Sequence, residues 1–282
     1  MNDMLDFAEL WKTQKLQDAD GRLDAEVDLA FWQNHASRYD NCTAPPGSYD
    51  QTLRALQELV RPNDTLLDVG AGTGRFAIPL AHHVQQITAL DHARPMLDIL
   101  QEKVQRERLS NIALVETAWE SADVVPHDVV LAAWSLYRLF DLTAAMRKLV
   151  ETARRTLIIV ESDDDATVLP HYPLMKEIWG PTKRPALPKH LCFLGVLWQI
   201  GIFADMQVVY ETRTLSAKSP QQLAYQLAPE HALPLEVERF TQDLRPQFTQ
   251  KADSWYYHFT YPVKILIWQR VGGAMSSAPL KP

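Results

Sequence analysis

Between residues 65 and 161 the chain alternates short β-rich runs with stretches of helical spacing, and few folds accept that order. The runs are 65–69 (TLLDV), 86–90 (QITAL), 111–115 (NIALV), 128–132 (DVVLA) and 156–160 (TLIIV). Helices are predicted between them at 76–83, 96–108 and 142–153. Pro95 suits a first helical turn, where an N–H has no intrahelical partner. Strands apolar on both faces, with helices between them, imply a parallel sheet covered on both sides and joined by right-handed crossovers. The class is α/β.

The flanking segments are less regular. Residues 1–50 are polar with helical patterning and end in a Pro45-Pro46-Gly47 turn. Residues 162–189 hold five prolines and cannot form one long helix. A buried helix is expected at 191–203, a strand at 208–215, an amphipathic helical stretch at 219–256 and a last strand at 263–268 (VKILIW). The implied organisation is an N-terminal helical lid or extension (1–51), a main domain (52–272) with inserts at 162–189 and 219–256, and a flexible tail (273–282). Inserts between core elements are where lids and substrate loops arise, so all three additions are expected to cover the carboxyl edge of the sheet.

Composition excludes several classes. The 282 residues carry 28 Lys+Arg against 35 Asp+Glu, a formal net charge of −7, the wrong sign for a protein that grips nucleic acid through phosphates. Cys42 and Cys192 lie far apart, so neither a disulfide scaffold nor a zinc site can be read, and no other metal-ligand spacing is present. The longest apolar block, 191–204, is interrupted by Gln199 and is too short to span a bilayer. The first 17 residues lack a signal peptide's apolar stretch, and the expected location is the cytoplasm.

The segment 66–76, LLDVGAGTGRF, runs a buried strand into a glycine turn that opens a helix. Glycine is needed where φ is positive or where a ligand touches bare backbone. The spacing is GxGxG, and Arg75 stands where a dinucleotide site keeps its last glycine, which counts against NAD and FAD. Seventeen residues past Gly74, the second strand ends in Asp91, whose carboxylate can accept both hydroxyls of a ribose.

In these residues, with ALDHARPML (89–97) and HDVVLAAWSLYRL (127–139), the chain resembles the class I S-adenosylmethionine-dependent methyltransferases. The resemblance covers residues 52–161 and, more weakly, 263–268. It implies a doubly wound, mostly parallel seven-stranded sheet with helices on both faces and helical lid insertions. It also implies S-adenosylmethionine as cofactor and S-adenosylhomocysteine as product. By the same resemblance Gly70, Ala71, Gly72, Thr73 and Gly74 line the methionine and ribose portion. Asp68 orients the loop or meets the methionine amino group, Asp91 binds the ribose, and His92 and Met96 lie near the adenine. Ala118 stands where many relatives carry an adenine-reading acid, and Trp119 is the candidate to stack on the ring. Trp134 ends the fourth strand beside the site. Tyr39, in a W…A..YD segment, is the candidate lid residue over the methionine end.

Catalytic residues are harder to read. Tyr39, Glu161, His171 and His190 are the candidates; packing is the plainer role for each histidine, and the run Asp163-Asp164-Asp165 is plainest as a solvated or capping segment. The fourth strand lacks the Asn/Asp-Pro-Pro-Tyr/Phe motif of amino-directed nucleobase methylation and the cysteine of cytosine-C5 chemistry. The expected function is methyl transfer to a small-molecule acceptor, without membrane or nucleic-acid partners. A nucleic-acid or protein methyltransferase, or a non-catalytic S-adenosylmethionine-binding protein, is the alternative.

Overall fold

Three helices, α1 (Phe7–Gln17), α2 (Ala25–Thr43) and α3 (Asp50–Leu59), precede the first strand in the computed structural model, which describes residues 5–17, 25–43, 49–162, 169–180, 187–229 and 232–270. The Pro45-Pro46-Gly47 turn, the Asp163-Asp164-Asp165 run and the tail 273–282 lie outside the described residues. β1 (Thr65–Val69), β2 (Gln86–Asp91), β3 (Ile112–Glu116), β4 (His127–Ala133) and β5 (Ala153–Ser162) coincide with the five predicted runs and pair in parallel. β6 (Asp205–Ala217), β7 (Thr249–Lys251) and β8 (Ser254–Gln269) complete the sheet, whose order is β3-β2-β1-β4-β5-β8-β6. β8 runs antiparallel to both neighbours. The seven expected strands become eight, because the short β7 also pairs with β8.

Strand periodicity explains the two-sided core. Along β4, Val130 and Ala132 enter one apolar cluster and Val129 and Leu131 the other. The first cluster is closed by α1, α6 (Leu142–Thr152) and α8 (Lys189–Gln199). The second is closed by α3, α4 (Ala77–Leu80) and α5 (Arg94–Arg106), which begins with Pro95 in its first turn. Cys192 is buried in the first cluster, where burial pushes its thiol up to about 11.

Three expectations need correction. The helix expected at 76–83 is only α4, because Asn111 Nδ2 donates to the carbonyls of Ala81 (2.8 Å) and Val84 (3.3 Å), ending the segment in a turn. The stretch 219–256 is not wholly helical: α9 (Pro220–Leu227) and α10 (Pro234–Leu244) are followed by β7 and the first residues of β8. The last strand starts at Ser254 rather than 263 because Trp255, Tyr257, Phe259 and Tyr261 alternate, putting one side of β8 into a third apolar cluster. That cluster also takes α7 (Tyr172–Trp179), α9 and α10. β5 pairs with β8 only over Val263–Gln269, whereas β6 pairs with it from Trp255 onward. The β6–β8 ribbon therefore runs past the carboxyl ends of the parallel strands as a wing.

α1 is held in the core rather than over the sheet edge. Trp11 is 1% exposed, its indole N–H donates to Leu139 O at 2.6 Å, and its ring lies 5.3 Å from that of Phe193. On α8, a Cβ added at Gly195 would lie 2.2–2.5 Å from the ring of Phe7. Gly195→Val should cost about 1–3 kcal/mol by overpacking, read as a lower urea midpoint with unchanged slope. Phe7→Ala in the same chain should recover part of that loss, since the ring is what the new side chain meets.

Candidate functional site

The order of the parallel strands reverses between β1 and β4, and a crevice opens there at their carboxyl ends. β1 ends in Asp68-Val69 and passes into the glycine turn. Gly70 has φ +75°, and a Cβ there would lie 2.2 Å from Ser135 Cβ, so only glycine lets the segment after β4 approach. Ser135 Oγ closes that approach by donating to Val69 O at 2.5 Å. The N–H groups of Gly70 and Ala71 both donate to Leu90 O, at 2.7 and 2.9 Å. The N–H of Gly72 donates to Asp91 Oδ2 and that of Ala93 to Asp91 Oδ1, each at 2.8 Å.

Two buried carboxylates thus share the crevice. Burial, then the neighbouring charge of Asp91, pushes Asp68 up to about 7. Asp91 is also raised by burial, against the lowering effect of its two backbone hydrogen bonds.

A roof covers them. Asp28 of α2 is fully buried, with His92 Nε2 at 2.7 Å, Arg138 Nε at 3.2 Å and the Tyr137 hydroxyl donating at 3.4 Å. Trp32 donates its indole N–H to Tyr137 Oη at 3.2 Å. Near the other end of α2, Asp40 accepts from Thr73 Oγ1 (2.6 Å) and pairs with Lys103 (2.7 Å). Between these latches the Tyr39 hydroxyl accepts from Arg75 Nη2 at 2.9 Å.

The resulting cleft opens to solvent, and the space within and at its mouth amounts to about 650 Å³. Of the residues read from the sequence, Tyr39, Asp68, Gly70, Ala71, Gly72, Asp91, His92, Met96 and Trp134 line it. Trp134 adopts φ +50°, an unusual value for a non-glycine residue, with its indole N–H on Ser162 Oγ at 2.9 Å. A second, smaller cavity shares Gly70, Asp91 and His92 and adds Thr117, Trp119 and Glu120.

Other expected residues are elsewhere. Gly74 faces α5, where a Cβ would lie 2.3 Å from Leu100 Cδ1, so it serves helix packing and not the lining. Thr73 is buried under the roof on Asp40, and Ala118 lines neither cavity. Trp119 is not a free stacking platform: it is 4% exposed, its N–H points to Ala145 O at 3.4 Å, and Lys148 Nζ sits 4.6 Å over its ring. It forms a wall of the second cavity instead.

Glu161, His171 and His190 are buried and line neither cavity. His171 packs among Tyr257 and Phe259 in the third cluster, where burial pushes it down to about 4. Among the described residues neither insert supplies a lining residue, and of the three expected covers only α2 contributes to the roof. Asp28, Trp32, Arg75, Tyr137 and Arg138 went unread as site residues. Arg75 and Arg138 had a usable signal, since both follow the carboxyl end of a strand at the switch point.

A family profile described as "Methyltransferase domain" matches residues 66–157, which span the glycine turn, Asp91 and Trp134. Over those residues the chain is similar to a methyltransferase domain. The methyltransferase fold also appears in a solved structure from Bacillus halodurans C-125, classed among methyltransferases. It is 14% identical, with TM-score 0.50 over 78% of this chain and 98% of that one. Magnesium protoporphyrin IX methyltransferase from Synechocystis PCC 6803, solved with S-adenosylhomocysteine, is 17% identical with TM-score 0.48, over 78% of this chain and 82% of that one. An uncharacterized Haemophilus influenzae protein is 29% identical over 184 residues, 63% of this chain and 65% of that one, so the chain spans less than two thirds of that relative. No described helix is long and apolar enough to cross a membrane, and no metal-binding group of three or more His, Cys, Asp or Glu occurs among the described residues.

The raised Asp68 carboxyl gives a pH signature. The folded chain holds its proton up to about pH 7, whereas the unfolded chain releases it near the ordinary carboxyl value of 3.8. Stability therefore falls as pH rises through that window, and the cost is complete above it. Asp68→Asn should stabilise the ligand-free protein on the order of a few kcal/mol at pH 8 and leave it unchanged at pH 4, as measured by urea denaturation at both pH values.

Proposed function

We propose that this chain transfers the methyl group of S-adenosylmethionine to a small-molecule acceptor. The observation that carries the reading is the roofed cleft: two buried carboxylates and a glycine turn at the switch point, closed by α2 through Asp28 and Asp40. The donor set fits the cofactor. Asp68 is a buried acid held partly protonated for want of a cation, and the methionine ammonium supplies one. Asp91 accepts one backbone N–H on each oxygen, with His92 Nδ1 also 3.5 Å from Oδ1, and its remaining lone pairs can take ribose hydroxyls. The bare backbone at Gly72 faces Met96 Cε, 3.2 Å from where a Cβ would be, and leaves room for a ligand that any side chain would take. His92 and Met96 are assigned to the adenine side, with Trp119 as a wall behind it.

S-adenosylmethionine supplies a methyl already activated on a sulfonium, so the chain's work is to orient the acceptor and exclude water. Orientation alone is worth roughly 7–11 kcal/mol in well-aligned systems. Tyr39 is the one catalytic candidate in the lining, and burial raises its phenol, which suits a donor or roof residue rather than a base at neutral pH. An acceptor that enters as a thiolate needs no base. A roof tied down at both ends of a helix, with a net charge of −7, supports a small acceptor over RNA or an extended peptide.

Methyl-labelled S-adenosylmethionine incubated with the protein and separated pools of metabolites, RNA and protein should label the metabolite pool. Label confined to RNA or protein would replace this reading with the macromolecular one, and cofactor binding without label anywhere would favour a non-catalytic role. Asp91→Ala should weaken S-adenosylhomocysteine by at least ~10-fold in calorimetry, since each charge-assisted bond contributes about 1.5–3 kcal/mol. At pH 6 that binding should release a proton as the ammonium draws Asp68 into its ionised form, a release absent in Asp68→Asn. Calorimetry in buffers of different ionisation enthalpy measures it.

A further inference from the structure

Arg75 follows the glycine turn and lines the larger cleft but not the second cavity. Its guanidinium carbon lies 4.4 Å from the ring centre of Tyr49, 5.1 Å from that of Tyr39 and 5.3 Å from that of Trp134. Trp134 is in turn stacked on Phe76 at 5.8 Å. Rings over its faces strip water from a guanidinium and stabilise the cation, leaving its N–H edges for a partner. One edge is only partly used: Nη2 donates to Tyr39 Oη, while Nε is buried without an acceptor. A buried donor left unmade is costly unless something completes it.

The other cationic side chains around the cleft have carboxylate partners. Asp28 serves both Arg138 and His92, and Asp40 serves Lys103. Among the described residues no carboxylate lies within 4 Å of Arg75, which makes it the unneutralised cation of the lining. Asp68 and Asp91 occupy the same cleft and disfavour a doubly charged anion such as phosphate. A planar, singly charged carboxylate matches the free guanidinium edge.

We propose that Arg75, boxed by Tyr39, Tyr49 and Trp134, is the seat of a ligand carboxylate in this site. The inference rests on the cofactor reading above. The carboxylate has two sources, the methionine end of the cofactor and a carboxylate-bearing acceptor. Arg75 would also join ligand and roof, because the residue that takes the carboxylate already bonds Tyr39 of α2.

Two probes separate these sources: S-adenosylhomocysteine, and its decarboxylated amine, which keeps adenosine, thioether and ammonium. If the cofactor is the source, the wild type prefers S-adenosylhomocysteine by ~10–100-fold, the effect of one hydrogen-bonded charge pair. Arg75→Met erases that preference without weakening the amine. If the acceptor is the source, both probes bind both proteins alike. The labelled product is then an anion at neutral pH, and Arg75→Met raises the acceptor KM ~10–100-fold while Arg75→Lys restores part of it. Failure of the cofactor reading shows separately, as loss of amine binding in the wild type. The proposal is overturned if Arg75→Met changes neither the ratio of the two probes nor the acceptor KM, or if it weakens the amine as much as S-adenosylhomocysteine, the mark of a purely structural latch.

Discussion

The N–H groups of Gly72 and Ala93 end on opposite oxygens of Asp91, and the geometry of the whole site follows from that pair of bonds. They set the glycine turn at a fixed distance from the start of α5, while Leu90 O holds the preceding two N–H groups of the same turn. With the turn pinned, Ser135 closes onto Gly70 and the segment after β4 is brought beside it. The cost is electrostatic, because two acids are then buried side by side before any ligand arrives. The roof depends on the same point. His92, the neighbour of Asp91, is one of the groups that Asp28 holds.

The parts of the fold that were legible in the sequence are those whose burial is symmetrical. β1, β2, β4 and β5 read as continuous apolar runs because helices cover both faces, and that pattern is hard to mistake. The first half of β8 failed for the opposite reason. It runs past the end of β5 beside β6, buries one side under α9 and α10, and carries aromatic and polar residues in alternation that also fit a helical stretch. α4 was overread because its end is decided by Asn111, a side chain thirty residues downstream of the carbonyl it takes.

Site residues divide along the same line. The glycine turn and Asp91 are local signals at a characteristic spacing, whereas the roof is made of contacts between residues far apart in sequence, 33 positions for Asp40 with Thr73 and 109 for Asp28 with Tyr137. Charge on a polar helix gives no hint of such pairing. The position of the inserts between core elements suits a lid, yet most of their described apolar residues, such as Met175, Leu223 and Phe240, pack in the third cluster. Arg75 was weighed only as a glycine that was missing.

β8 lies between β5 and β6, and this arrangement orders events during synthesis. β5 exposes its free edge from the moment it emerges, and β6 follows with no neighbour of its own, since among the described strands it pairs with β8 alone. Thr156 meets its partner Gln269 only after more than a hundred further residues have been made. Pairings of such separation are slow and leave strand edges open to other chains. The half of the domain that holds the glycine turn can condense early, while the other half waits for its central strand. A ribosome pausing within residues 218–253 would hold two unpaired edges in solution, which makes this interval the one where the chain most needs protection from self-association.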